Sequence, residues 1–218
     1  MAELRRYPRA TGKPDDRGFT LTELLVAMIV FSIAMVMIFS AVIAVMHVTD
    51  QASASADAAF EARQALATID KQVRSGNVLF SPADEVTYLA TCQVMGTNQG
   101  SCMRIYTQAN GQQKCVQWQV VPDGAGLYDL QVRSWQPTWQ STGGVSGWSV
   151  AARSLSMTSA PFTLDVGPGG VYGERLLRVH IVAHSNVTGK DLAIDASISG
   201  RNTTYGDTGS ECLPVPPA

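Results

Sequence analysis

One carboxylate stands where carboxylates are costly. Glu23 heads an apolar run that extends to Met46, and residues 24–46 contain no charged side chain. A lone ionised group beside hydrocarbon costs several kcal/mol unless it finds a cation. Just ahead of it comes Arg17-Gly18-Phe19. Glycine there has no side chain, and Glu23 is the only charge of the long apolar stretch that follows.

The other groups with chemical potential read as structural. His180 and His184 are four apart and share one face of a strand. They lie opposite Leu177, Val179 and Ile181, which makes them solvent-facing rather than metal ligands. Cys92, Cys102, Cys115 and Cys212 contain no C-x2-C pair, so zinc is not indicated. All four follow the apolar run, on its exported side, where two disulfides are expected. Residues 102–115 read as a hairpin around Asn110-Gly111, which favours Cys102–Cys115 with Cys92–Cys212; Cys92–Cys102 is the alternative. Gly167–Gly173 lacks the Gly-Lys-Ser/Thr of a phosphate loop, and no Gly-x-Ser-x-Gly elbow occurs. Trp118 alternates as core, while Trp135, Trp139 and Trp148 read as packing or loop anchors. The sequons at Asn186 and Asn202 carry no weight. No catalytic residue, metal or cofactor is expected.

The elements that position these residues follow from composition. The chain has 218 residues, 45% of them apolar, and a net charge of −2 that gives no reason to expect a nucleic-acid partner. Residues 1–18 are net basic and interrupted by Pro8, Gly12 and Pro14, a leader whose basic end stays in the cytoplasm. Residues 19–48 are long enough and apolar enough to span a bilayer as a helix. Glycine and proline are absent from 19–75, so the helix has no cue to stop at a membrane surface. Through 49–75 it becomes amphipathic, with Ala59, Ala62, Leu66, Ile69 and Val73 forming one stripe. Ser75-Gly76-Asn77 ends it. A helix over residues 19–74 would be about 84 Å long.

Residues 76–218 read as an exported β domain. Val116, Trp118 and Val120 alternate with polar residues before the turn Pro122–Gly126 and a strand over Leu127–Trp135. Leu177–Ala183 and Leu192–Ile198 alternate again. Such runs predict antiparallel hairpins with one buried face, packed on the helical stripe. Residues 137–174 are dense in glycine, serine and threonine and give no clear topology. Residues 200–218 read as a loose, proline-rich tail. The fold class is α+β.

The run Arg17-Gly18-Phe19-Thr20-Leu21-Thr22-Glu23-Leu24-Leu25-Val26, followed by the apolar helix, resembles the cleavage and methylation signature of type IV prepilins and pseudopilins. The likeness is residue by residue over 17–26 and extends in plan to about residue 75. The resemblance implies cleavage after Gly18 by a prepilin peptidase, N-methylation of Phe19, and a pairing of Glu23 with a neighbouring subunit's amine. The implied partners are that peptidase, other pilin or pseudopilin subunits, the membrane platform of the assembly machine and the lipid bilayer. The chain would sit in the cytoplasmic membrane with its N-terminus inside, then in a surface or periplasmic filament. Ser40 stands where major pilins often carry a helix-breaking proline, which fits a minor subunit used in initiation or at the tip.

Two rivals are less economical. A secretory signal cut near Ala52-Ser53-Ala54 or Ala54-Ser55-Ala56 would need an apolar run about half as long. A pilus-anchored adhesin would use residues 137–174 or the tryptophans as its binding surface.

Overall fold

The computed structural model describes residues 18–108, 111–200 and 209–217. Residues 1–17 of the expected leader, Asn110 of the expected hairpin turn and Asn202 of the second sequon lie outside them. The chain divides into two units, residues 1–49 and 50–218.

Helix α1 covers Leu21–Arg74, 54 residues, in the stretch that lacks glycine and proline. In the second unit it buries Ala59, Ala62, Ala65, Ile69 and Val73. The expected stripe includes Leu66 where the structure buries Ala65; Leu66 lies half-buried at the margin of the core. Gly76 follows the helix by a different device from the one expected. Its φ is not among the positive values, so it is not a left-handed cap. A Cβ there would meet Ile105 Cγ2 at 2.9 Å and the carbonyls of Gln72 and Val73 at 3.1 Å. Glycine is needed because the chain turns from helix into sheet against that strand.

Among the described residues ten strands follow: β1 (Gly76–Leu79), β2 (Val94–Gly96), β3 (Gln99–Gly100), β4 (Cys102–Thr107), β5 (Lys114–Pro122), β6 (Tyr128–Trp135), β7 (Ser149–Ser156), β8 (Phe162–Asp165), β9 (Leu176–Ser185) and β10 (Lys190–Ser199). They pair antiparallel in the order β1-β4-β5-β6-β7-β9-β8-β3-β2, with β10 on β9. The path returns on itself, because β3 runs into β4 through Ser101, whose carbonyl accepts the Val120 N–H at 2.9 Å. The sheet therefore curls. Met103, Ile105, Trp118, Leu130, Phe162, Leu177 and Ile181 pack with the buried stripe of α1 in one core. The undecided stretch 137–174 supplies the short helix α2 (Trp139–Thr142), β7 and β8.

Two expectations about burial are corrected. First, β4 and β5 are buried on both faces, not one. Their second face carries Arg104, Gln117 and Gln119, and segment 80–93 and the C-terminal residues cover it. Glu85, fully buried, accepts from Arg104 Nε at 3.1 Å and Gln117 Nε2 at 2.8 Å. Arg133 Nε donates to Gln117 Oε1 at 3.0 Å, continuing the chain of bonds. Arg104 also lies over the rings of Phe80 and Tyr88, and Arg133 over Trp135 and Trp148. Burial pushes the Glu85 carboxyl above its ordinary pKa, and Arg104 is the largest influence opposing it.

Second, residues 210–217 are no loose tail. Arg133 donates to the carbonyls of Pro217 and Pro216, each at 2.7 Å, and Trp139 Nε1 donates to Pro214 O at 2.8 Å. Arg104 Nη1 donates to Cys212 O at 3.3 Å. Prolines have carbonyls but no N–H, so they supply acceptors to buried donors while asking for no partner themselves.

The disulfides are Cys92–Cys102 and Cys115–Cys212, which corrects the favoured pairing. The hairpin is present, but its register sets Cys102 opposite Gln119 and Cys115 opposite Tyr106. Four rungs separate the two cysteines along the ladder, about 13 Å, beyond the reach of a bridge. Cys115 faces outward onto the strap of residues 210–217 and ties it down.

On β9, Leu177, Val179, Ile181 and Ala183 are buried as expected. On β10 only Ile198 is. That strand pairs with β9 alone among the described residues; Ile194 and Ala196 pack partly against the core and Leu192 stays exposed.

Candidate functional site

The N-terminal residues of α1 form the site. Thr20 caps the helix. Its carbonyl accepts the Glu23 and Leu24 N–H groups at 3.1 Å, and its hydroxyl accepts the Glu23 N–H at 3.3 Å. Thr20 and Glu23 thus have the spacing of a capping box, a role the sequence reading did not draw from T-x-x-E. Gly18 and Phe19 precede the cap and remain outside the helix. Among the described residues, apart from its chain neighbours, no atom lies within 4 Å of where a Cβ on Gly18 would be. Phe19 is 79% exposed. Glu23 sits in the first turn, where the helix dipole favours a negative charge. The structure therefore presents an open Gly18–Phe19 peptide with a carboxylate one turn along.

Behind this head the surface is hydrocarbon. Every described residue up to Thr49 is exposed, including Leu24, Leu25, Ile29, Phe31, Met35 and Phe39. The helix is long and apolar enough to cross a membrane. Its few hydroxyls turn inward: Ser32 donates to Met28 O at 2.7 Å, Ser40 to Met37 O at 2.8 Å and Thr49 to Val45 O at 2.9 Å. Each satisfies its donor within the helix and leaves an apolar surface for lipid or another helix.

Residues 13–39 match the family model of the prokaryotic N-terminal methylation motif. The chain carries the type IV pilin and pseudopilin signature. This pilin motif marks a structural subunit and implies processing by a prepilin peptidase and assembly with other pilin-type subunits. Together with the apolar helix it fits anchoring in the inner membrane. No curated protein and no solved structure matches the chain.

The remaining candidates are dispersed. His180 Nδ1 and Asp195 Oδ1 are 2.6 Å apart, as are His184 Nδ1 and Asp191 Oδ1. These are two separate pairs between β9 and β10, about 13 Å apart along the strand. Among the described residues no group of three His, Cys, Asp or Glu is placed to hold a metal. The tryptophans serve the fold. Trp118 is buried and donates to Gln72 Oε1 at 2.7 Å, and the other three contact Arg133 or the C-terminal strap.

Proposed function

We propose that this chain is a minor pilin or pseudopilin, cut after Gly18 by a prepilin peptidase and built by α1 into a type IV pilus or a type II secretion pseudopilus. The observation that carries the reading is the motif head itself, an open Gly18–Phe19 peptide with Glu23 one turn into an exposed apolar helix. Cleavage frees the Phe19 amine, which the family's pattern methylates. The subunit starts in the cytoplasmic membrane, N-terminus inside and residues 76–218 exported. In the filament Glu23 meets the amine of a neighbouring subunit where water is scarce, which sets the register of one helix against the next. Ser40 in place of the proline common in major pilins supports a minor role in initiation or at the tip, since nothing there frees a backbone carbonyl to loosen the helix.

Complementation of a deletion strain tests the reading. Glu23→Leu should insert and be cut, giving a mature N-terminus at Phe19 by mass spectrometry, yet assemble no filaments. Breaking a buried ion pair by removing one partner costs about 3–5 kcal/mol. Gly18→Glu should leave an uncut precursor in the membrane. Wild-type filament numbers with Glu23→Leu would remove the carboxylate from assembly, and a mature start at Ser55 or Asp57 would restore the secretory-signal reading.

A further inference from the structure

The longest open edge of the sheet is β10. Its ten residues pair with β9 without a register shift. Alternate N–H and C=O groups of such a strand point away from its partner, and among the described residues no strand takes them. Edge strands are commonly protected by shortness, proline, a bulge or an inward charge. Here there is no proline or bulge, and the one charge of inward parity, Lys190, sits at the turn. The inward side, Leu192, Ile194, Ala196 and Ile198, is apolar and only partly covered, with Leu192 43% exposed.

The outward side decides what the edge can accept. Its charged residues are Asp191 and Asp195, whose side chains remain 46% and 73% exposed beside His184 and His180. A second copy of β10 laid antiparallel along this edge has only aspartate, alanine and serine to offer on that side, with no lysine or arginine of its own there, and Arg178 of β9 on the same face is already paired with Asp165; aspartates brought onto neighbouring strands repel. An incoming strand with apolar residues on one side and lysine or arginine on the other meets both faces.

We propose that the free edge of β10 is a docking site for an extended basic strand of a different protein, joined by main-chain hydrogen bonds as an added strand of the sheet. Main-chain bonds supply the attachment; Asp191 and Asp195 select for positive charge. The site does not depend on the pilus reading, since it uses neither α1 nor the processed N-terminus.

The test uses the full-length protein in a non-ionic detergent and a short fluorescent peptide alternating valine and lysine. Anisotropy should show saturable binding, with a valine–glutamate peptide of equal length bound roughly tenfold more weakly or less tightly still. Asp191→Asn/Asp195→Asn should weaken the lysine peptide by a similar factor while leaving thermal unfolding near wild type. Hydrogen exchange should show fast outward-pointing amides across 190–199 in the free protein and slow ones with the lysine peptide bound. Absence of binding, equal binding of the two peptides, or an unchanged affinity in the double variant would overturn the proposal. So would β10 amides that are already slow in the free protein, or that slow with protein concentration as a dimer forms.

Discussion

Replacing Arg104 by methionine leaves Glu85 buried without its cation. Met103 and Ile105 face the curled core, so Arg104 points to the other side of β4, where Glu85 is fully buried. Removing one partner of such a pair costs about 3–5 kcal/mol. At about 2–4 °C per kcal/mol for a domain of this size, the unfolding midpoint should fall by roughly 6–20 °C. The loss should depend on pH, and its sign is fixed by the direction of the shift. Burial already raises the Glu85 pKa in the folded protein, and Arg104 opposes that rise. Without Arg104 the folded value climbs further. The folded state then favours the protonated acid, so the stability tied to Glu85 is fully present below its unfolded pKa of about 4.3. It is lost as pH rises through the folded value. Arg104→Met should therefore be mildly destabilised near pH 4.5 and strongly so at pH 7.5. Thermal unfolding of the detergent-solubilised protein, followed by the fluorescence of buried Trp118 and Trp135, reads this directly. Glu85→Leu/Arg104→Met should recover most of the neutral-pH loss, since it removes both charges. An equal deficit at both pH values, or no recovery in the double variant, would place the loss in contacts with Phe80, Tyr88 and the Cys212 carbonyl instead.

The other expectations concern the strap and the helix end. Non-reducing peptide mapping should recover Cys92–Cys102 and Cys115–Cys212. From sequence separations of 10 and 97, loss of the second bridge should cost about 2 kcal/mol more than loss of the first, compared by denaturant unfolding. Gly76→Ala should destabilise by about 1–3 kcal/mol, because Ile105 and two carbonyls crowd the added methyl; a neutral result would show that the helix–strand junction can relax. Truncation after Leu213 removes the Pro214, Pro216 and Pro217 acceptors of Trp139 and Arg133. It should lower the unfolding midpoint and shift tryptophan emission to the red.

Glu23 and Gly18 stand out in the sequence, one as the sole charge of an apolar run and the other as a residue without a side chain just before it, and the roles read for them belong to the proposal. The helix was legible because nothing between residues 19 and 75 interrupts it. Alternation located β5, β6, β9 and β10, whose length lets a period of two show. It could not show β1, β2, β3 and β8, which span two to four residues each. Nor could it show that Gln117 and Arg104 are buried, because a polar strand face reads as solvent-facing unless the covering segment is recognised. That cover is written in prolines, whose composition suggests an unstructured tail while their carbonyls serve as acceptors for Arg133. The cysteine pairing failed on register. With Thr107 opposite Lys114, Cys102 lies five residues before the last pair and Cys115 only one after it, so they cannot be cross-strand partners.

The bridge from Cys115 to Cys212 also fixes how the chain carries tension. A pull between α1 and the C-terminal strap passes along the backbone to Cys115 and then crosses directly to Cys212, omitting residues 116–211. Cys92–Cys102 removes 93–101 from the path in the same way. A separation of 97 residues would otherwise release roughly 330 Å of slack when pulled straight. Strands β6 to β10 therefore lie in a closed covalent loop that bears no axial load. Between α1 and Cys115 only residues 75–91 and 103–114 lie outside the two loops, so a pull can release about 100 Å of chain there instead of the much longer path through the sheet.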